Sequence, residues 1–246
     1  VDIGINGDLD CPGLIQRKIR KGTSNMAKGP AMSRDEAIKA IEVGMEVTDQ
    51  LVKEGYNLLG TGEMGIGNTS TSSAMLMCYT GCTAEVAVGK GAGLTEEDFT
   101  KKKRIIEQAI RVNNPDPHDP IDVLAKVGGF DIAGLVGCFL AAAYHRVPIV
   151  IDGFISGIAA LTAYKLNPMV KGYLIPSHAS AEPGYDTMIK EIGLAPIFHL
   201  RMRLGEGTGC PLAFNVIEGA IAVINNMATF EEGEIASETL VDIREE

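Results

Sequence analysis

Residues 59–70 of the chain read Leu-Gly-Thr-Gly-Glu-Met-Gly-Ile-Gly-Asn-Thr-Ser. An apolar run, Tyr56 to Leu59, precedes the glycines, and the small and apolar residues 72–78 follow them. This order predicts a strand, a glycine-rich turn and the start of a buried helix. Such a turn is a typical anion site in α/β proteins, because glycine lets the backbone approach a ligand closely and a helix N-terminus presents unpaired N–H groups.

The glycine spacing matches neither of two common phosphate-binding motifs. It is not the dinucleotide fingerprint, with an acidic residue about twenty residues later, and no Gly-Lys-Ser/Thr follows as in a Walker loop. A simple tight turn also explains a glycine cluster. Glu63 favours a substrate site, because a carboxylate in the loop would repel a phosphate unless it held another part of the substrate.

Composition restricts the class of protein and partner. The chain has 246 residues, of which 46% are hydrophobic and 22% charged, as expected for one α/β domain with at most a small appendage. A net charge of −10 argues against a nucleic-acid or anionic-membrane partner, since both require a basic surface. An anionic substrate would therefore need a local cluster of donors.

The five cysteines indicate reduced thiols in a cytoplasmic protein, because they are odd in number and mostly lie in apolar surroundings. Cys78 and Cys82 are the only close pair. They have no second pair and no nearby histidine, so we predict no metal site.

The start of the chain and its longest apolar tract are interpreted as strands and a buried helix. Val1 to Ile5 resembles a strand and, since it begins abruptly with Val, we expect a further segment upstream. Asp152, Gly153 and Ser156 interrupt the tract from Val147 to Tyr164, which predicts a buried strand and a buried helix and not a membrane span.

Helix and strand signals alternate along the rest of the chain. A capping box at 33–36 begins a helix predicted to reach Gly55, and Thr95 caps a second helix that reaches Val112. Short helices are predicted at 121–126, 131–144 and 184–192, strands at 147–151 and 173–176, and a last buried helix at 211–225.

This alternation predicts a parallel sheet covered by helices on both faces. Ligands of such sheets bind beyond the carboxyl ends of the strands. The candidates that this geometry brings to one rim are Glu63, Asp152, Ser177, Ser180 and Glu206.

Glycosyl transfer suits these carboxylates. Acyl transfer is disfavoured because the chain has no Gly-x-Ser-x-Gly elbow. Carboxylates can stabilise an oxocarbenium-like centre and accept a proton from the incoming nucleophile, which needs no metal. His178 is the only histidine at a predicted strand end, and both a structural and a catalytic role remain open for it.

Four motifs together resemble the nicotinate-nucleotide:dimethylbenzimidazole phosphoribosyltransferase family, the CobT family of cobalamin lower-ligand synthesis. They are Gly-Glu-Met-Gly-Ile-Gly-Asn-Thr (62–69), Asp-Gly-Phe-Ile-Ser (152–156), Ser-His-Ala-Ser-Ala-Glu-Pro-Gly (177–184) and Leu-Gly-Glu-Gly-Thr-Gly (204–209). The similarity covers essentially the whole chain, although members of the family extend further at the N-terminus.

The resemblance implies an activity and a set of site residues. The family transfers phosphoribose from nicotinate mononucleotide to a benzimidazole without a metal or cofactor. Glu206 matches its general base and Glu63 a second acidic residue of the site. The matching substrate-binding positions are Gly65, Lys102 and Ser180 near the phosphate and Asp152 near the nucleotide, and Gly67, Asn68 and Leu204 from the same motifs are further candidates.

The resemblance also implies a homodimer and a doubly wound α/β domain with a small helical subdomain. We place the α/β domain at residues 1–225 and assign 226–246 to a helical segment of the small domain. Much of the pocket for the base is expected upstream of Val1, so the chain alone should bind the nucleotide with little or no turnover. Two alternatives remain open: a non-catalytic nucleotide-binding partner of a longer homologue, and a related transferase that uses a phenol or a purine.

Overall fold

A small parallel sheet lies at the centre of the protein. The computed structural model describes residues 1–91 and 93–234. Within them, β1 (Leu59–Gly60), β2 (Ile149–Ile151) and β3 (Leu174–Pro176) form a sheet of order β1-β2-β3. All pairs are parallel, with Leu59 beside Ile149 and Ile149 beside Leu174, so all three carboxyl ends meet at one edge.

Helices make up most of the rest of the described chain. They are α1 (Arg34–Lys53), α2 (Asn68–Thr80), α3 (Ala84–Ala87), α4 (Glu96–Asn113), α5 (Pro120–Val127), α6 (Phe130–His145), α7 (Phe154–Leu166), α8 (Tyr185–Ile192) and α9 (Gly209–Asn226), with a 3-10 helix at Pro168–Tyr173. The capping signals act as predicted. The Ser33 side chain accepts a hydrogen bond from the Glu36 N–H, and Thr95 accepts one from Asp98.

The two faces of the sheet pack against different helices. Ile149 and Ile151 belong to the main core, which also contains buried side chains of α1, α2 and α4 to α8. Val150, pointing the other way, packs with Cys210 and Ala213 of α9. Helices therefore cover both faces, and the predicted α/β fold with a parallel sheet is confirmed.

Helix α1 lies unusually close to α6. A Cβ on Gly137 would lie 2.9 Å from the backbone nitrogen of Met45, and one on Gly44 would lie 3.0 Å from that of Cys138. Glycines at this contact let the two backbones approach, which places α6 firmly against the core. The N-terminus of α6 then presents Asp131 to the carboxyl edge of the sheet.

Three details of the prediction are wrong. Val1 to Ile5 is not a strand, because only Asp2 pairs there, in an isolated bridge to Gln16. The last helix is not buried: of its residues only Gly209, Cys210 and Ala213 are buried, and Ile224 is 79% exposed. The helix after the first glycine loop begins at Asn68, earlier than the predicted start at residue 72. Hydrophobicity alone does not determine burial, since the apolar face of a helix is covered only where another element packs on it.

Two further predictions concern the C-terminus and membranes. Residues 230–234 form turns after α9, and 235–246 of the predicted helical segment lie outside the described residues. The division at 225/226 therefore stays a prediction. None of the described helices is long and apolar enough to cross a membrane.

Candidate active site

The first glycine loop, residues 61–67, joins β1 to α2. Thr61 anchors its start, because the buried hydroxyl donates to the Val150 carbonyl at 2.9 Å and contacts the Ser156 hydroxyl. Gly67 ends the loop at φ 87° and is the N-cap of α2. The N-cap has no side-chain hydrogen bond, so no cap side chain occupies the N–H groups at the start of α2.

Glu63 lies in a network of polar groups within this loop. Its Oε2 accepts hydrogen bonds from the Asn68 side chain and, at 3.3 Å, from the Gly65 N–H. The same Asn68 amide donates to Asp131 at 2.9 Å. Burial raises the pKa of the Glu63 carboxyl, and the charges of Asp131 and Asp152 raise it further, while the two hydrogen bonds oppose the rise.

The second glycine loop, residues 205–209, packs directly on the first. A Cβ on Gly62 would lie 2.6 Å from the Gly207 nitrogen and 2.9 Å from the Glu206 carbonyl carbon. Gly205, Glu206 and Gly207 have φ values of 77°, 59° and 76°. A positive φ is unfavourable for glutamate, at a cost on the order of 1 kcal/mol or more, and such backbone strain is concentrated at functional sites.

Asp152, directly after β2, holds the second loop in place. Its two carboxylate oxygens accept hydrogen bonds from the N–H groups of Gly207 at 3.0 Å and Gly209 at 2.7 Å. Only 1% of the residue is exposed. The structure therefore gives Asp152 a defined supporting role for the Glu206 loop.

Lys102, on α4, reaches the N-terminus of α2. Its ammonium donates to the Thr69 hydroxyl at 3.0 Å and to the Gly89 carbonyl at 2.9 Å. Burial lowers the pKa of Lys102, and the Glu182 carboxylate opposes this. A half-buried cation beside a helix N-terminus is a suitable anion site in an acidic protein.

Ser180 and Leu204 come from the segments that continue the sheet edge. Residues 176–181 run beside 197–202, with the Ala179 N–H bonded to the Phe198 carbonyl at 2.8 Å. The Ser180 hydroxyl accepts a 3.4 Å hydrogen bond from the Glu182 N–H. Leu204 is 67% exposed, as is Met64 of the first loop at 73%.

The structure thus brings most of the predicted site residues to one rim, on the two glycine loops and the strand ends. Sequence reasoning missed Asp131, Thr69 and Glu182. An acidic residue in the first turn of α6 is a common helix-start feature, so the sequence carried no signal that would have singled out Asp131.

Comparisons with known proteins identify the family of the chain. A family model described as phosphoribosyltransferase matches residues 1–235. The nicotinate-nucleotide–dimethylbenzimidazole phosphoribosyltransferase of Clostridium tetani is 58% identical over 246 residues, which are 100% of this chain and 68% of the relative. The enzyme of the same name from Geobacter sulfurreducens is 49% identical over 96% of this chain and 67% of its own length.

A solved structure has the same fold. The crystal structure of CobT from Thermus thermophilus superimposes with a TM-score of 0.90 at 38% identity, over 96% of this chain and 70% of that one. The chain thus spans about two thirds of the length of these relatives. From these identities and the shared fold, the chain is a phosphoribosyltransferase and belongs to the nicotinate-nucleotide–dimethylbenzimidazole phosphoribosyltransferase family.

Proposed function

We propose that this protein transfers phosphoribose from nicotinate mononucleotide to 5,6-dimethylbenzimidazole or a related base. The products are α-ribazole 5′-phosphate and nicotinate, as cobalamin lower-ligand assembly requires. The observation that carries the proposal is the packing of Gly62 against the second loop, which places Glu63 and Glu206 on adjoining turns. The identity of 58% to an enzyme of this name supports it.

The phosphate of the nucleotide would bind at the N-terminus of α2. Support comes from Lys102 beside Thr69 and from the N-cap at Gly67, and Gly65 matches a family position near the phosphate. These groups supply positive charge and N–H donors while the molecule as a whole is acidic. Ser180 would complete this binding site.

The aromatic base would bind against apolar side chains of the two loops. Met64, Ile66 and Leu204 are at least 67% exposed, and Ile66 is fully so. Exposed apolar groups beside a polar rim are typical of a small-molecule site. A flat ring could approach Glu206 closely because glycines flank it on both sides.

The reaction would proceed by attack of the neutral azole nitrogen on the anomeric carbon. The C–N bond to nicotinate breaks, and the electron pair neutralises its pyridinium nitrogen, so departure needs little acid assistance. The new C–N bond forms on the opposite face, with inversion, and the second azole nitrogen then loses its proton. Glu206 would accept this proton as the general base.

Glu63 would act on substrate as the second carboxylate of the site. Its half-buried position and its contacts with Asn68 and the Gly65 N–H favour a positioning role. Asp131 would fix the Asn68 amide and thereby the orientation of Glu63. The raised pKa of Glu63 places its proton uptake nearer neutrality than that of an ordinary glutamate.

We further propose that the protein is a cytoplasmic homodimer. A homodimer is implied by the family resemblance, and the exposed Leu212, Val216 and Ile221 of α9 would suit a contact with another chain. A cytoplasmic location fits the five free thiols at Cys11, Cys78, Cys82, Cys138 and Cys210.

The test is a competition between bases. The chain, alone and with whatever sequence precedes Val1 in its gene, is incubated with nicotinate mononucleotide and an equimolar mixture of 5,6-dimethylbenzimidazole, a phenol and a purine, and the products are identified by mass. The Clostridium tetani relative is the positive control. We expect α-ribazole 5′-phosphate as the main product. A phenolic or purine nucleotide, or binding without turnover in both forms, would contradict the proposal.

A further inference from the structure

His178 is buried at the end of β3 and has one ring nitrogen without a protein partner. The residue is 1% exposed. Its Nδ1 lies 3.0 Å from the Ser177 hydroxyl oxygen. Among residues 1–91 and 93–234, the hydrogen bonds of the structure include none to its Nε2.

The neighbouring groups determine which nitrogen carries the proton. The Ser177 hydroxyl has a single hydrogen, which it donates to the Asp152 carbonyl at 2.9 Å. Its oxygen can therefore only accept from Nδ1, which must carry a hydrogen. The Asp152 carboxylate, 4.0 Å from Nδ1, is too distant for a hydrogen bond but favours the N–H at this position. In the neutral ring, Nε2 is then an acceptor.

The free nitrogen lies beside Gly153, where the missing side chain leaves room for a methyl-sized group. The position of a Cβ on Gly153 lies 3.8 Å from Nε2 and 3.8 Å from the Ser180 hydroxyl oxygen. Gly153 is also the N-cap of α7 and offers no side-chain cap, so the first N–H groups of the helix remain available there. This space thus lies beside both helix N–H donors and a ring nitrogen that can accept a hydrogen bond.

A ligand group in this space must both donate and accept hydrogen bonds. A phosphate oxygen can only accept, and its lone pairs would repel those of Nε2. A hydroxyl can give its hydrogen to Nε2 and accept from the helix N–H groups. Burial also lowers the pKa of His178, against the opposing charge of Asp152, which keeps the ring neutral at physiological pH.

We infer that His178 is a substrate-positioning residue that accepts a hydrogen bond through Nε2 from a ribose hydroxyl of the nucleotide. This inference rests on the proposed function, since it takes the nucleotide as substrate. The site places the ribose between the α2 N-terminus, which would hold the phosphate, and the second glycine loop. Asp152 connects the His178 segment to the second glycine loop, because its carbonyl accepts a hydrogen bond from Ser177 and its carboxylate accepts one from Gly209.

The experiment measures binding by calorimetry without the base. Nicotinate mononucleotide is compared with its 2′-deoxy and 3′-deoxy analogues on the wild-type chain, His178→Asn and His178→Gln. Asn can keep the donor to Ser177 but lacks an acceptor at the Nε2 position, whereas Gln can place an amide oxygen there. We expect one deoxy analogue to bind the wild type about 3- to 12-fold more weakly, the usual worth of a hydrogen bond.

The decisive quantity is the coupling between variant and hydroxyl. His178→Asn should lower the affinity for the parent nucleotide by a similar factor, and removal of the hydroxyl should then change its affinity by less than about twofold. In His178→Gln, removal of the hydroxyl should lower the affinity as it does in the wild type. The inference would be overturned if removal of the hydroxyl lowered the affinity equally in the wild type and in His178→Asn. It would also be overturned if neither analogue bound the wild type more weakly than the parent nucleotide. Failure of the wild type to bind the parent nucleotide would instead contradict the proposed function.

A second variant keeps the test valid if His178 substitutions fail to fold. In Gly153→Ala the new methyl group would make only ordinary contacts of 3.8 Å with the protein, so the fold should survive. The methyl group would fill the space assigned to the hydroxyl, so nucleotide affinity should fall at least about fivefold, ~1 kcal/mol. Affinity within twofold of wild type would show that no ligand group occupies this space.

Discussion

The carboxylate of Asp152 accepts a hydrogen bond at 2.7 Å from the N–H of Gly209, a residue 57 positions further along the chain. The second oxygen accepts from the Gly207 N–H at 3.0 Å. One buried side chain at the end of β2 therefore holds both sides of the turn that carries Glu206.

Asp152→Asn should destabilise the protein and loosen the second loop. The amide retains one acceptor oxygen but directs an NH2 group at a backbone N–H, which leaves a buried donor unsatisfied. The expected loss in the free energy of unfolding is about 1–3 kcal/mol, measured by urea denaturation. Asp10→Asn, on an exposed residue, is the control. Equal stability of the two variants would show that the loop does not depend on this carboxylate.

Lys102→Ala should raise the KM for the nucleotide far more than the KM for the base. The ammonium lies at the α2 N-terminus beside Thr69, where it can pair with a phosphate. Lys101→Ala, one residue earlier on the same helix but exposed, is the matched control. If both KM values in Lys102→Ala stay within about twofold of wild type, ~0.4 kcal/mol, the lysine does not bind the nucleotide.

Glu206→Gln should lower kcat by about 10²- to 10⁴-fold while nucleotide binding survives, because glutamine cannot accept the azole proton. Initial rates over a range of pH, on the form of the protein that turns over, provide the measurement. The wild-type rate should fall on the acid side as a carboxylate becomes protonated. A drop of less than about tenfold, ~1.4 kcal/mol, would mean that Glu206 only orders its loop. An unchanged acid limb would make Glu63 the candidate base.

Glu63→Gln should change the pH dependence of stability. Because the pKa of Glu63 is raised in the folded protein, this group binds a proton more tightly there than in the unfolded chain. Its contribution to stability is therefore fully present below the unfolded pKa and decreases as the pH rises through the folded pKa. The variant should lack this decrease, so the difference in unfolding free energy between variant and wild type should grow towards pH 7. If the difference in unfolding free energy did not change with pH, the raised pKa of Glu63 would be contradicted.

Gly62→Ala should separate the two glycine loops. The new Cβ would lie 2.6 Å from the Gly207 nitrogen and 2.7 Å from its Cα, and neither backbone can move freely. We expect activity to fall at least about a hundredfold, ~2.7 kcal/mol, since small displacements of catalytic groups are costly. Gly172→Ala, with no atom within 4 Å of the new methyl group, is the control for stability and rate. Similar activity of the two variants would be inconsistent with the proposed site.

Several features of the fold could be predicted from local sequence. The capping box at Ser33 and the cap at Thr95 correctly located the starts of α1 and α4, because caps act through residues three positions apart. The apolar runs before Thr61 and Asp152 indicated strands, but β1 shares only Leu59 with its predicted run of 56–59, and β2 is shorter than the predicted 147–151. The glycine-rich turns that follow the predicted strands correctly indicated the carboxyl edge of the sheet.

The exposure of α9 and the network around Glu63 required the tertiary structure. The sequence of α9 is as apolar as that of a buried helix, and only the packing shows that Val150 covers one part of it and leaves the remainder exposed. Asp131 meets Asn68 across 63 positions, and Lys102 meets Thr69 across 33. Such contacts depend on how whole helices pack, which no spacing within one segment specifies.

The sequence alone determined the type of fold, the edge of the sheet where the glycine loops lie and the residue types available for chemistry, because periodicity, caps and glycine turns are local properties. The tertiary structure decided what each side chain does there. Asp152 supports the second loop, the proton of His178 lies on Nδ1, and the pKa of Glu63 is raised. The physical reason is that hydrogen-bond partners and burial are set by neighbours distant in the chain, which meet only when the core packs.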